Sequence, residues 1–429
     1  MALVTAAASG CALFDYFDRE PPLEGERISL RSNQASRTTV QVREVALPPV
    51  QRLENWTQTN GTGTHNSGHL DGPTGLSLAW TRDIGAGGSS DGQITSAPVI
   101  ADGTVFTLDA ASQVTALDAS SGAERWQVSV APEAEEGDEG FGGGIAYEAG
   151  RLLIATGFGE ILALEAATGA VLWRKSFGAP FRAAPAVDRG TVVAVTRDNR
   201  AFGVTASNGQ IRWRVSGASA EAGLLGGASP AMSGGLVAVP FTSGELIALS
   251  ASSGRQFWSA LLSGGRRGLA RSSISDVTGD PIVIGNFIVA ANQSGRIVAV
   301  EARGGRRVWT RNFGSQGAIW GAADTLFVVS DDASLMRISA RDGQTLWQTP
   351  LPAFEDQEDR EDPITYSGPV LVSGRVLVAS SEEQLLVFDA LTGAQIAEAE
   401  LSAGARNGVV VAADTVFVLA DDGRLHAFR

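Results

Sequence analysis

Short stretches of alternating apolar and polar residues recur along the chain, and each runs into a glycine-closed turn followed by a tryptophan. In the first of them, residues 113–122 read Gln-Val-Thr-Ala-Leu-Asp-Ala-Ser-Ser-Gly, and Trp126 follows four positions later. The alternation predicts a β-strand, the Asp and Gly predict a tight turn, and the residues through Trp126 predict a second strand. Each such motif is therefore interpreted as a β-hairpin. Seven segments carry it: Gln113–Gly122 with Trp126, Glu160–Gly169 with Trp173, Arg200–Gly209 with Trp213, Glu245–Gly254 with Trp258, Arg296–Gly305 with Trp309, Ser334–Gly343 with Trp347, and Gln384–Gly393 with Ala397 in the tryptophan position.

The hairpins recur with a period near 45 residues, since 271 residues separate Gly122 from Gly393 over six intervals. Two further apolar stretches precede each hairpin, and four strands in a repeat of this length are typical of a propeller blade. The tryptophans should pack between adjacent blades. The first strand of each blade should be innermost, because proline, which has no amide hydrogen to donate, is tolerated at such an edge. The prolines in question are Pro98, Pro185, Pro230, Pro281 and Pro369.

The two ends of the repeat region predict how the ring closes. Residues 422–429 (Asp-Gly-Arg-Leu-His-Ala-Phe-Arg) resemble a third strand, whereas residues 76–80 (Leu-Ser-Leu-Ala-Trp) resemble a fourth strand. Pairing the strand around Leu425 with the strand around Trp80 removes the open edge of the sheet. Seven complete blades and this composite one predict an all-β fold, an eight-bladed β-propeller of four-stranded antiparallel blades.

The residues before the repeats divide into two parts. Residues 1–11 (Met-Ala-Leu-Val-Thr-Ala-Ala-Ala-Ser-Gly-Cys) resemble the end of a bacterial lipoprotein signal peptide, which predicts Cys11 as the acylated residue. Because Ala12 rather than Asp follows it, the outer membrane is the expected destination. The alternative is an ordinary N-terminus with a chance cysteine. Residues 12–75 lack the repeat and predict a linker between the lipid and the propeller of residues 76–429.

Composition and charge exclude several functions. The net charge of −14 disfavours nucleic-acid binding, and one cysteine cannot form an intramolecular disulfide. No stretch approaches eighteen uninterrupted apolar residues, so no transmembrane helix is expected. His65 and His69 lie four positions apart without a third ligand, which favours polar loop residues over a metal site. No catalytic motif is present, and neither a metal nor a cofactor is expected.

The repeat also resembles that of a known family. Residues 163–173 (Ala-Leu-Glu-Ala-Ala-Thr-Gly-Ala-Val-Leu-Trp) resemble the repeat of pyrroloquinoline-quinone (PQQ) propellers. One branch of these comprises quinoprotein dehydrogenases, many of which carry an adjacent cysteine pair and calcium ligands. The other is the BamB family, lipoproteins of the outer-membrane β-barrel assembly machinery. The chain resembles BamB in its eight repeats, in Cys11 and in the lead-in from Asn55 to His69.

The resemblance to BamB implies where a partner would bind. Residues 274–281 (Ile-Ser-Asp-Val-Thr-Gly-Asp-Pro) are similar to a segment through which BamB contacts BamA, which implies partner binding by Asp276 and, less closely because the second aspartate is displaced here, by Asp280. Asp276 precedes Pro281 in the loop entering the fifth blade, so its side chain is expected to be solvent-accessible. A turn-forming role is the alternative for Asp276. A second contact segment aligns with residues 223–227 (Gly-Leu-Leu-Gly-Gly), where Leu224 fits an apolar contact and Leu225 stands where arginine is usual.

Loop lengths favour the same surface. Between 12 and 23 residues separate a blade's tryptophan from the next blade's proline, and these loops must emerge on one face of the ring. They include the acidic runs 133–139 and 355–362, for which solvation of a long loop is the simpler explanation.

The resemblance thus implies a non-catalytic scaffold, lipid-anchored in the outer membrane and facing the periplasm. Its partners would be the POTRA domains of BamA, other members of the Bam complex and unfolded β-barrel precursors, whose folding and insertion it would assist. The alternative is a periplasmic PQQ-dependent quinoprotein oxidoreductase.

Overall fold

Strands supply the regular structure of the chain. The computed structural model describes residues 45–89, 92–137, 140, 142–219, 226–262, 276–293, 295–315 and 317–429. These residues contain no helix, and so none that is long and apolar enough to cross a membrane.

Within the described residues the strands form eight four-stranded antiparallel sheets, the blades, and one two-stranded hairpin. The first strand is β1 (Leu78–Asp83). Blade 1 comprises β2 (Val99–Ala101), β3 (Thr104–Leu108), β4 (Gln113–Asp118) and β5 (Glu124–Ser129). Blade 2 comprises β6 (Gly143–Glu148), β7 (Arg151–Thr156), β8 (Glu160–Glu165) and β9 (Val171–Ser176). Blade 3 comprises β10 (Ala186–Asp188), β11 (Thr191–Val195), β12 (Arg200–Thr205) and β13 (Ile211–Ser216). Blade 4 comprises β14 (Ala231–Ser233), β15 (Leu236–Pro240), β16 (Glu245–Ser250) and β17 (Gln256–Leu261).

The second half of the ring repeats this order. Blade 5 comprises β18 (Val277–Ile284), β19 (Phe287–Asn292), β20 (Arg296–Glu301) and β21 (Arg307–Arg311). Blade 6 comprises β22 (Ile319–Ala322), β23 (Thr325–Val329), β24 (Ser334–Ser339) and β25 (Thr345–Pro350). The hairpin of β26 (Phe354–Asp356) and β27 (Glu361–Pro363) follows. Blade 7 comprises β28 (Tyr366–Val372), β29 (Arg375–Ser380), β30 (Gln384–Asp389) and β31 (Gln395–Glu400). Blade 8 comprises β32 (Val409–Ala412), β33 (Thr415–Leu419) and β34 (Arg424–Phe428), with β1 as its fourth strand.

The composite eighth blade closes the ring. β1 pairs antiparallel with β34, and the register places Trp80 opposite Ala427 and Arg82 opposite Leu425. First strands of consecutive blades contact one another from blade 1 round to blade 8. The predicted eight-bladed propeller, closed by pairing of its two ends, is therefore confirmed.

A tryptophan of one blade lies against a glycine of the next. A Cβ on Gly169 of blade 2 would lie 2.8 Å from Trp126 Cε3 of blade 1, and Gly169 has φ +76°. Trp126 Nε1 also donates a hydrogen bond to Ala166 O at 3.1 Å. Only glycine meets both demands, a positive φ and this close approach. The same contact joins Trp173 to Gly209, Trp213 to Gly254, Trp258 to Gly305, Trp309 to Gly343, and Trp347 to Gly393.

The seam between blades 8 and 1 uses a different hydrogen-bond donor. Trp80 packs on Gly122, but among the described residues its Nε1 has no hydrogen-bond partner. The carbonyl of Ala119, which corresponds to that of Ala166, instead accepts a bond from Arg429 Nη2 at 3.2 Å. Arg429 thus makes the bond that an indole makes at six other interfaces.

Two sequence details now have a structural reason. Ala397 stands in the tryptophan position of blade 7, and the next blade has no turn between its third and fourth strands, so no glycine is present to receive an indole. The prolines do lie at the inner edge, but only two of them lie within a first strand. Pro281 and Pro369 belong to β18 and β28, whereas Pro98, Pro185 and Pro230 immediately precede β2, β10 and β14.

The predicted linker is folded in its described part, residues 45–75. Trp56 pairs with Ile100 of β2, and Leu70 pairs with Val372 of β28. Gln51 pairs with Leu70 in turn, so residues 51–71, here named the belt, close on themselves against the inner strands. Trp56 and Leu70 are fully buried. The linker interpretation is therefore wrong for residues 45–75. Their composition is polar, as in a linker, but their backbone forms hydrogen bonds to the inner strands of the blades.

We predict that Trp173→Phe lowers the free energy of unfolding by about 0.5–1.5 kcal/mol more than Trp80→Phe does. Both changes remove an indole N–H, but Trp173 donates that hydrogen to Ala206 O at 2.9 Å, whereas Trp80 has no such acceptor in the part of the chain that the structure describes. Urea unfolding followed by circular dichroism measures both variants. Equal losses would contradict a stabilising role for this hydrogen bond.

Candidate functional site

A cavity lies on the axis of the ring. It has a volume of about 350 Å³, and its walls come from the segments that enter blades 1 and 3 to 8. Trp56, Thr59 and Asn60 of the belt line it as well. Trp56 stacks on Trp320 of blade 6, with ring centroids 5.8 Å apart and an interplanar angle of 16°. The belt residues line one end of the cavity, and the loops that connect successive blades lead to the other end, toward which the cavity opens.

Asp276 lies at this loop-bearing end as a buried ion-pair partner. Its side chain is 0% exposed, and its Oδ1 lies 2.7 Å from Nη2 of Arg182, which is 2% exposed. The expected solvent-accessible position of Asp276 is therefore wrong. The physical reason is that an arginine from another loop reaches the carboxylate and covers it. A direct part of Asp276 in partner binding stays a prediction.

Arg182 lies where three consecutive loops meet: it pairs with a residue of one neighbouring loop and packs against a residue of the other. It belongs to the segment entering blade 3, whereas Asp276 immediately precedes β18 of blade 5. Gly227 enters blade 4 between them, and a Cβ there would lie 2.1 Å from Arg182 Nε. This glycine therefore leaves the space that the guanidinium occupies. Burial, and then the positive charge of Arg182, lower the pKa of the neighbouring Arg197.

Arg182 did not emerge from the sequence, although a signal was present. Residues 181–185 (Phe-Arg-Ala-Ala-Pro) place an arginine among small residues just before an inner strand, and residues 226–227 are both glycine. The other sequence candidates, Leu224, Leu225 and Cys11, lie outside the described residues.

Asp280 lies within β18 and faces the cavity. Its Oδ1 accepts a hydrogen bond from Ser229 N at 2.7 Å, and its Oδ2 accepts one from Asn60 Nδ2 at 3.1 Å. This carboxylate thus links blades 4 and 5 to the belt. Its implied part in partner binding remains a prediction.

The acidic run 355–362 forms much of the hairpin of β26 and β27, whose charged side chains are exposed. Burial, and then the neighbouring carboxylate of Glu355, raise the pKa of Glu382. The run 133–139 is described as far as residue 137. Exposed charges on a projecting hairpin agree with the simpler explanation of a solvated loop.

The two histidines of the belt have backbone partners. His65 is buried, its Nδ1 lies 2.8 Å from Pro281 O, and burial lowers its pKa. His69 Nδ1 lies 2.7 Å from Pro48 O, and its Nε2 accepts a bond from Gly374 N at 2.8 Å. Among the described residues, no group of three His, Cys, Asp or Glu side chains is placed to hold a metal ion.

Eight four-stranded blades in a closed ring, six of them with a Gly-x-x-x-Trp hairpin, define the class of protein: a β-propeller of PQQ-type repeats. A family model described as "Outer membrane protein assembly factor BamB" matches residues 58–136, 110–349 and 354–429. The chain belongs to this family.

Individual relatives agree with the family model. The chain is 26% identical over 358 residues to the outer membrane protein assembly factor BamB of Shigella dysenteriae serotype 1, across 81% of this chain and 88% of that protein. It is 25% identical over 358 residues to the protein of the same name from Escherichia coli K12, with the same coverage.

Two solved structures show how widely the fold is shared. BamB from Moraxella catarrhalis superposes with a TM-score of 0.68 at 18% identity, covering 83% of this chain and 100% of that one. A europium-containing methanol dehydrogenase reaches a TM-score of 0.66 at 15% identity, covering 87% and 98%. Both likenesses establish the propeller fold, and neither discriminates a scaffold from an enzyme.

The cavity residues do not fit the calcium-bound quinone of the dehydrogenase branch. Calcium takes six to eight oxygen ligands. Asp280 is the carboxylate among the described residues that line the cavity, and both of its oxygens are already hydrogen-bonded. The stacked Trp56 and Trp320 occupy the axis at the belt end.

We predict that Asp276→Asn lowers the free energy of unfolding by about 3–5 kcal/mol, because Arg182 is left as a buried charge without its counterion. The double variant Arg182→Met/Asp276→Leu should recover most of this loss, since neither charge then remains. Urea unfolding of the single and double variants measures the coupling.

The exposed pair Arg341–Asp324 provides the matched control, since its side chains are 60% and 53% exposed. Asp324→Asn should cost at most about 1 kcal/mol. Similar midpoints for Asp276→Asn and Asp324→Asn would contradict a structural role for the buried pair.

Proposed function

We propose that this chain is a non-catalytic scaffold of the outer-membrane protein assembly complex and binds BamA through the loops at the open end of the cavity. The observation that carries the proposal is the Arg182–Asp276 pair, which joins the loops entering blades 3 and 5 and packs against Gly227 of the loop entering blade 4. A partner that meets loops already held in place loses less conformational freedom on binding. Membership of the BamB family supports the same role.

We assign different roles to the residues of this face: some contact the partner, and the buried ones hold the loops in place. Leu224 and Leu225 belong to the loop entering blade 4, which passes Arg182, and we assign them the apolar contact with BamA. Asp276 is buried, so it acts by holding this loop region in place. Asp280 acts in the same way through its bonds to Ser229 and Asn60.

The outer rim of the ring supports a role toward β-barrel precursors. The fourth strand of each blade is the outermost, so one of its edges has no partner strand within the blade. Phe257 and Leu261 of β17 are 45% and 52% exposed. Such edges offer backbone hydrogen bonds and apolar contacts to an incoming strand. Further exposed side chains on fourth strands are those of Leu78, Val171, Leu172, Ile211 and Ile396.

The proposed location is the periplasmic side of the outer membrane, with the chain held there by acyl groups on Cys11. The names of the relatives support the membrane assignment, and the cysteine supports the anchor. The alternative, a PQQ-dependent oxidoreductase, has less support, because the cavity residues do not fit the cofactor.

We predict that Leu224→Asp reduces the BamA that co-purifies from solubilised outer membranes by about tenfold or more, since burial of an unpaired charge opposes an apolar contact. The matched control is Leu391→Asp, because Leu391 is 56% exposed on the turn between β30 and β31, at the opposite face. Circular dichroism checks the fold of both variants. Equal recovery of BamA with the two variants would exclude the loop face as the docking surface.

We also predict that Cys11→Ser, expressed from a complete signal sequence, is absent from the outer-membrane fraction. Serine lacks the sulfur that carries the acyl anchor, so the protein should appear as a soluble or unprocessed form. Membrane fractionation and intact-mass measurement read out the result. An acylated form in the outer membrane would refute Cys11 as the anchor.

A further inference from the structure

The belt meets every blade in the order in which the blades occur around the ring. Each contact is a hydrogen bond between a belt residue and a residue in or beside the first strand of a blade. The contacts are Leu53 O with Ala413 N of blade 8 (2.9 Å), Trp56 N with Ile100 O of blade 1 (2.8 Å), Thr57 O with Tyr147 N of blade 2 (2.8 Å), Gln58 Nε2 with Val187 O of blade 3 (2.8 Å), Gly63 O with Met232 N of blade 4 (2.5 Å), Thr64 O with Val283 N of blade 5 (2.9 Å), Gly68 O with Trp320 Nε1 of blade 6 (2.7 Å), and Leu70 N with Leu371 O of blade 7 (3.0 Å).

The belt then closes on itself. Gln51 N donates to His69 O, and Asp71 N donates to Gln51 O, both at 2.8 Å. The chain that leads into the belt is held in place as well, because the buried Arg337 of blade 6 donates from Nη2 to Val45 O at 2.6 Å. A closed loop of chain is therefore bonded to the inner side of a closed ring of blades.

The sequence of the belt suits this path. Most of the bonds use its backbone, which leaves the side chains free to be small and polar. The side-chain amide of Gln58 forms the pair of hydrogen bonds that the backbone of a neighbouring strand would form. It donates to Val187 O and accepts from Val187 N, each at 2.8 Å. Gly61 has φ +94°, and a Cβ there would lie 2.3 Å from Ser67 Oγ, so the turn requires glycine. Through these contacts, inner-strand groups that face the axis gain partners away from bulk water.

We propose that the inner strands of the eight blades form a circular peptide-binding surface, which the belt of the same chain occupies. The belt is then a second closure of the ring, in addition to the pairing of β1 with β34 in blade 8. Each blade is bonded both to its neighbours and to one common segment. Separation of blades 8 and 1 therefore also requires release of Leu53 from Ala413 or of Trp56 from Ile100. This inference concerns the ring itself and does not depend on the proposed partner.

Amide hydrogen exchange of the full-length protein tests the proposal. The amides of Tyr147, Met232 and Val283 donate to the belt from blades 2, 4 and 5. They should exchange as slowly as amides in the middle strands, because they open only when the belt is released. Trp56→Ala removes the side chain that stacks on Trp320 of blade 6. It should accelerate exchange by about a hundredfold or more at all three amides together, including those of Met232 and Val283, whose acceptors lie seven and eight positions from Trp56.

Arg52→Ala is the matched control, since Arg52 lies in the belt and is 56% exposed. It should leave the three exchange rates unchanged. Acceleration confined to the blades next to Trp56 would overturn the proposal, because the belt would then not act as one unit. Exchange of the three amides at the rate of exposed loops in the unmodified protein would overturn it as well.

A second measurement decides the case if Trp56→Ala does not fold. A protease site inserted between Gly75 and Leu76 allows the folded full-length chain to be cut between the belt and β1. The N-terminal fragment should co-elute with the propeller in gel filtration until the propeller unfolds. Release of this fragment from a propeller that stays folded would refute the belt as a closure.

Discussion

At seven of the eight interfaces between blades, an indole ring of one blade lies against a glycine of the next, where any side chain would push the two sheets apart. Each blade contacts mainly its two neighbours, so the ring is no stronger than its weakest interface. At the interface of blades 7 and 8, Ala397 stands in place of the tryptophan, and at the seam between blades 8 and 1 the strands come from opposite ends of the chain. Trp80 has no acceptor for its N–H among the described residues, and Arg429 makes the missing bond to Ala119. The belt, which bonds to both blades of the seam, adds a contact that the indoles cannot supply.

The sequence was sufficient for the blades because their determinants are local. Residues 113–126 contain a strand, a turn and the next strand, and seven copies of that pattern leave little choice of fold. The seam could be predicted because the chain ends with an unpaired third strand. The belt could not be predicted, because its backbone makes most of its bonds and its side chains show no period of two. A polar, glycine-rich segment has the same composition whether it is a linker or is bonded to the inner side of a ring.

The candidate site shows the complementary limit. Resemblance placed Asp276 in the correct loop region, but its exposure depends on Arg182, which is 94 positions away. The arginine in this region is Arg182, from the loop entering blade 3. Position 225, where the resemblance leads one to expect an arginine, is a leucine in this chain. The space that Arg182 fills exists because residue 227 is glycine. A charge pair that joins non-adjacent blades leaves no periodic trace in the sequence, so its burial could be found only from the folded chain.

These contacts together restrict where a partner can act. The belt and the stacked Trp56 and Trp320 lie at one end of the axis. The inner edges of the blades are already bonded to the belt, which leaves the outer strands as edges for pairing with another chain. The loops at the open end are held by a buried ion pair whose loss would leave a charge uncompensated. Rigidity at this face therefore arises from buried groups, and under the proposed scaffold role changes at Arg182 or Asp276 would alter partner binding through the shape of the loops.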